Sequence, residues 1–181
     1  MGRYHLAIVK TSLAVGLLGL GALGLSMTSP ARAVALVPDP GNAHQPPVQL
    51  AQISPNVLED LLTRINAERQ RVGAPPLRIN PQLTTAAQRH AQDMAQNRQI
   101  SHNGSDGSTM QSRIEDARYP WTTIGENVAM GQATPAAVMT SWMNSPGHRQ
   151  NILNPDFTEL GLSYAEAAGR LYWVQVFAAP R

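Results

Sequence analysis

Three residues pose the chemical question in this chain: His102, Glu126 and His148. His102 stands in the polar run "SHNGSDGST" (101–109), directly after a helical pattern, in the kind of loop on which function concentrates. Glu126 stands in "IGEN", at an extended apolar segment, where its plain alternative is to cap a turn. His148 follows Pro146-Gly147 at the start of a short helical pattern. A helix N-terminus disfavours imidazolium, so His148 is expected to stay neutral, the form in which histidine binds metal. Two imidazoles and a carboxylate are the smallest set for holding a divalent cation or for acid–base work. Their separations, 24 and 22 residues, make no motif by themselves. H-E-x-x-H, G-x-S-x-G and P-loop patterns are absent. The fold must therefore bring the three together if they share a site.

Other polar residues have plainer readings. His90 falls on the apolar stripe of a helix and is expected to be a buried imidazole bonded to backbone rather than a ligand. Arg149 could bind an anion, but pairing with Glu126 or Asp156 is the expected role, since arginine beside polar loops satisfies acceptors. Asn127 is expected to bond backbone. Trp142, Trp173 and Phe177 read as core or cavity wall. The chain has no cysteine, which excludes disulfides, thiolate metal sites, cysteine nucleophiles and lipidation at a leader cysteine.

The elements that must position these residues follow from caps and periods. Ser54-Pro55 opens a first helix with Val57, Leu58, Leu61, Leu62 and Ile65 on one face, stopped by Gly73 and "APP". Asn80-Pro81 opens a second with Leu83, Ala87, His90, Ala91 and Met94 on one stripe. Ser108 is expected to cap a third carrying Met110, Ile114 and Ala117. "YPWTTIGENVAMG" reads as extended. Thr134-Pro135 opens a fourth helix through Val138 and Trp142, and Ser145-Pro146 a short fifth leading to Ile152. The tail changes to strands, "TELGLSYAEA" and "RLYWVQVFA", joined near "AAGR" as a hairpin. Helices first and strands last give an α+β class with an antiparallel sheet.

The N-terminus reads as a leader. Arg3 and Lys10 precede an uncharged run, Leu13 to Leu25, and Ala31-Arg32-Ala33 supplies a small-residue cleavage pattern. Residues 1–33 are therefore expected to be a signal peptide, with a retained membrane anchor as the alternative. The apolar run is shorter than the ~20 residues of a spanning helix, so no stable membrane span is expected after cleavage. Residues 34–53, with four prolines and His44, read as a flexible linker. Three of the 14 basic residues precede the cut, leaving 11 arginines against all 12 acids, a net charge near −1. The high pI belongs to the precursor, and no nucleic-acid partner is expected. Residues 54–181 form the folded domain, large enough to hold a core without disulfides.

The ordered set "LLTRINAERQRVGAPPLRIN", "QRHAQDMAQ", "SHNGSDG", "IGENVAMG", "SWMNSPGHRQNILNPDFTELGLSY" and "YWVQVF" resembles the bacterial branch of the CAP superfamily (cysteine-rich secretory proteins, antigen 5 and pathogenesis-related 1 proteins), whose domain is also called SCP. The resemblance covers about residues 55 to 179. It implies an α-β-α sandwich with a small antiparallel sheet between helices and an open cavity. It also implies that His102 and His148 are cavity histidines able to bind zinc or another divalent cation, and that Glu126 is the cavity acid. Eukaryotic members carry a second acid after the tryptophan of the fourth helix. Here that place holds Asn144 and Ser145, and Glu159 is the nearest remaining acid, with strand alternation equally able to turn it outward.

Two functional classes follow. One is a secreted module, extracellular or periplasmic, that binds a weakly held divalent cation and a small lipid, glycan or peptide ligand. The other is a metal-dependent hydrolase, a peptidase or cell-wall enzyme, with Glu126 as general base. A structural or adhesion domain is a blander third. The missing second acid, and the lack of a nucleophile beside a base, favour binding over catalysis.

Overall fold

The computed structural model describes residues 55–181. The expected leader (1–33), the linker (34–53) with His44, and Ser54 lie outside the described residues. The order is α1 (Pro55–Arg71), β1 (Arg78–Ile79), α2 (Pro81–Asn97), α3 (Met110–Asp116), β2 (Trp121–Met130), α4 (Pro135–Met143), α5 (Pro146–Leu153), β3 (Glu159–Ala167) and β4 (Arg170–Pro180).

Local chemistry sets most of these boundaries. Asn80 Oδ1 accepts from the amides of Gln82 and Leu83 at 2.9 and 3.2 Å, and Pro81 follows, so α2 starts there. The third helix is capped by Thr109 rather than by Ser108. Thr109 forms a reciprocal capping box with Ser112, whereas the Ser108 amide donates to Asp106. Thr134 caps α4. Ser145 precedes α5 without a side-chain cap bond, so Pro146 and the tertiary contacts below fix that helix.

The sheet runs β1-β3-β4-β2. The tail hairpin turns at Ala168 and Gly169, both in the left-handed region, which suits the right-handed strand twist. β2, the segment expected to be extended, joins the far side of β4 antiparallel. One strand was not expected. Arg78 and Ile79 pair parallel with Glu159 and Leu160, so the sheet is mixed at that edge.

Helices cover both faces. α2 and α3 pack one face through Leu83, Ala87, Met94 and Ile114 against Val174 and Val176. α1, α4 and α5 pack the other through Leu61, Ile65, Trp142 and Ile152 against Trp173 and Phe177. The α-β-α sandwich is thus observed, with Trp142, Trp173 and Phe177 in the core. α2 lies directly on β3: a Cβ added at Gly161 would meet the Leu83 carbonyl carbon at 2.2 Å. Among the described residues no helix is long and apolar enough to cross a membrane.

Candidate functional site

β2 is an edge strand of the sheet, and two of its neighbouring residues organise the site. Glu126 and Asn127 are consecutive, so their side chains leave opposite faces. Glu126 turns toward α3 and the loop at 101–109. Asn127 turns toward α5.

On the Glu126 side, the carboxylate is 2% exposed and both oxygens accept from neighbours. Arg113 of α3, itself 2% exposed, donates through Nη2 to Oε2 at 2.8 Å. The same guanidinium reaches the carbonyls of His102 at 3.0 Å and Ser108 at 3.2 Å, tying the loop to the helix. His102 Nδ1 donates to Glu126 Oε1 at 2.8 Å. That bond fixes the tautomer, leaving Nε2 with its lone pair on a side chain 59% exposed. The hydrogen bond to Glu126 raises the His102 pKa above its ordinary value, against opposing contributions from burial and Arg113.

His90 completes this buried group. It is fully buried on α2, as expected, and its Nε2 donates to the Ser101 carbonyl at 2.7 Å, just before His102. It also lies 4.0 Å from Glu126 Oε1, a proximity that helix periodicity does not reveal. Burial lowers its pKa, outweighing the pull of Glu126, so it acts as a neutral brace for the loop.

On the other side, Asn127 Nδ2 donates to the His148 carbonyl at 3.1 Å and to Gln175 Oε1 at 2.9 Å. Asn151 Nδ2 donates to Asn127 Oδ1 at 2.9 Å and to the Glu126 carbonyl at 3.2 Å. These bonds pin α5 against the edge strand and so set where His148 starts the helix. The His148 imidazole forms no hydrogen bond with described residues. Its pKa is lowered, by burial first and then by the charge of His102. Both causes favour the neutral ring, in the direction expected.

The other expected site residues lie elsewhere. Arg149 is exposed and pairs with neither Glu126 nor Asp156. α5 carries it away from β2, and Glu126 faces α3, where Arg113 takes the role expected of Arg149. Glu159 starts β3 and accepts from the Tyr119 hydroxyl at 2.6 Å and from Asn80 Nδ2 at 3.0 Å. It lies two strands from Glu126, roughly 10 Å across the sheet, and braces the start of β3 against α2. Asn144 ends α4, exposed, with no acid taking its place. An open cavity of about 480 Å³ is lined by His102, Asn103, Thr109, Met110, Gln111 and Glu126. His148 is not among its lining residues. No group of three or more histidines and acids among the described residues is arranged to hold a metal.

Two functional residues were missed at the level of sequence. Arg113 sits three positions after Met110, on the stripe of Met110, Ile114 and Ala117, where a charge signals a buried partner. Arg69 likewise follows Ile65 by one turn. It is fully buried and donates to the carbonyls of Pro75, Ile152, Asn154 and Phe157 at 2.7 to 2.9 Å.

This arrangement can be set against known proteins. A family profile described as CAP, cysteine-rich secretory protein family, matches residues 62–177. The chain belongs to the CAP family. The CAP domain is 40% identical over 112 residues to the uncharacterized protein YkwD of Bacillus subtilis (strain 168), covering 62% of this chain and 43% of that protein. It resembles an extracellular protein containing a SCP domain from Bacillus anthracis str. Ames, with a TM-score of 0.66 and 28% identity over 75% of this chain and 44% of the other. An outer surface protein from Borrelia burgdorferi shares the fold, with a TM-score of 0.66 and 23% identity over 70% of this chain and 95% of that one. The chain thus spans less than half the length of the two Bacillus proteins.

Proposed function

We propose that the CAP domain is a secreted binding module that holds a divalent cation weakly between His102 and His148. The cavity beside His102 would offer that cation to a small lipid, glycan or peptide ligand. The observation that carries this reading is the buried Arg113–Glu126–His102 relay. A carboxylate on Nδ1 orients the ring and makes Nε2 a better donor, as the outer partners of metal-binding histidines do.

The residues fit such a group only as an open site. His102 offers one free, exposed nitrogen, and His148 offers a neutral ring with no competing hydrogen bond. Two imidazoles leave the remaining positions to water and ligand, as in weak or substrate-binding sites rather than closed structural ones. When bound, the cation supplies a Lewis-acid point for a ligand oxygen. Protons compete for both rings, so affinity falls with pH, and the raised His102 value starts that fall earlier than an ordinary imidazole would.

Hydrolysis with Glu126 as general base fits less well. Both of its oxygens already accept from neighbouring side chains, so neither can take a proton from water without giving up a bond to His102 or Arg113. Export is supported by the leader pattern and by the similarity to the extracellular Bacillus anthracis protein.

The test is calorimetry of the full chain with zinc chloride. His102→Ala and His148→Ala should each abolish measurable binding. Wild-type affinity in either variant would break the shared site. Turnover of a peptide or cell-wall library that disappears in Glu126→Gln would replace binding with catalysis.

A further inference from the structure

The arginine that does not reach Glu126 marks a different place. Arg149 lines a cavity of about 710 Å³ bounded by the end of α4, the outer side of α5 and the turn that follows it. That volume lies within the ~300–1,000 Å³ of small-molecule sites. The cavity shares no lining residue with the one at His102.

We propose that this cavity binds a short peptide with free termini, a di- or tripeptide, independently of the histidine site. Its carboxylate would lie on Arg149 and its ammonium on Asp156. Both of these side chains are exposed, both line the cavity, and neither forms an ion pair or side-chain hydrogen bond with described residues. Many other arginines here are satisfied. Arg64, Arg71 and Arg89 pair with nearby acids, while Arg69 and Arg113 bind buried acceptors.

Opposite charges that line one concavity without meeting offer two separate potentials, and the complementary solute carries both signs. A guanidinium takes a carboxylate through two parallel bonds, and a carboxylate takes an ammonium through its three donors. The turn that carries Asp156 is held by hydrogen bonds. The Asp156 amide donates to Asn154 Oδ1 at 2.9 Å. Arg69 clamps the carbonyls of Ile152, Asn154 and Phe157 on either side of that turn. Asp156 therefore sits on a braced turn, which lowers the ordering cost of binding. Met143 and Leu153, each half-buried against the core, give apolar surface on the cavity wall for the peptide's side chains. Asn144 and Gln150 add neutral groups able to bond a peptide unit.

The test is a titration of the isotopically labelled full chain with the dipeptide Ala-Leu, followed by amide chemical shifts. Saturable shifts are expected from residue 143 to residue 156. Arg149→Gln and Asp156→Asn should each weaken binding about tenfold or more, the effect of losing one charge-assisted bond. Both side chains are unbonded and exposed, so these variants keep the fold. N-acetyl-Ala-Leu-amide should bind far more weakly, and His102→Ala should bind Ala-Leu like the wild type. The proposal is overturned if Ala-Leu gives no saturable shifts, if the blocked peptide binds equally well, or if Arg149→Gln leaves affinity unchanged.

Discussion

Replacing Arg113 by methionine tests the buried relay directly. The substitution keeps the length and apolar stem of the side chain but removes the only arginine bonded to Glu126 among the described residues. Both partners are 2% exposed, and deleting one member of such a pair costs about 3–5 kcal/mol because the other charge stays buried. The bonds from Arg113 to the carbonyls of His102 and Ser108 are lost as well. His102 limits the damage in a pH-dependent way. Its Nδ1 stays on Glu126, and a protonated ring supplies the missing positive charge. Arg113 now holds the His102 pKa down, so its removal lifts that value and extends the compensation. The loss should be largest near about pH 8 and clearly smaller near about pH 5.5. With a urea slope of roughly 2 kcal/mol/M, a 4 kcal/mol loss moves the midpoint by roughly 2 M. Urea unfolding followed by the fluorescence of buried Trp142 and Trp173 measures it. A loss below about 1 kcal/mol at the higher pH, as exposed ion pairs give, would refute the buried relay. An equal loss at both pH values would refute the compensation by His102.

Further outcomes follow from the same geometry. The His102 imidazole should titrate above its ordinary value by NMR and fall back in Glu126→Gln. Its contribution to stability should be full below the unfolded value and disappear as pH rises through the folded one. His90, held down by burial, should act in the opposite sense, destabilising the fold as pH falls through the unfolded imidazole range. Asn151→Ala leaves the Asn127 side-chain oxygen and the Glu126 carbonyl without their donor. It should cost about 1–3 kcal/mol in the same urea experiment and weaken zinc binding through His148. Gly161→Ala places a Cβ 2.2 Å from the Leu83 carbonyl and should cost about 3 kcal/mol or more, with the largest amide shifts along α2.

The sequence revealed those parts of the fold that are decided locally. Asn80-Pro81 and Thr134-Pro135 carry their own capping chemistry, and the tail hairpin declares itself by its period and the loop near "AAGR". β1 was invisible because two residues have no period, and Arg78–Ile79 become a strand only through β3, some 80 positions later. At the site, motif order singled out His102 and Glu126, which the fold joins, and His148, which lies outside the cavity that those two line. What sequence reading assigned wrongly was the arginine. Arg149 is nearer to His148 in the chain, but α5 turns it outward, while Arg113 lies on the side that Glu126 faces. The sign was present, a charge on the apolar stripe of a short helix, as was the one at Arg69. Its meaning depends on which face of β2 carries the acid, and only the strand pairing sets that.

In the proposed site His102 and His148 share one cation, with His90 confined to bracing the loop. The most direct measurement is a long-range nitrogen–proton NMR spectrum of the imidazoles, recorded on the full chain during titration with zinc chloride. His102 Nε2 and one His148 nitrogen are expected to shift together and saturate at the same zinc concentration, while His90 stays unchanged. Separate saturation of the two rings, or a shift of His90 in place of either, would contradict it.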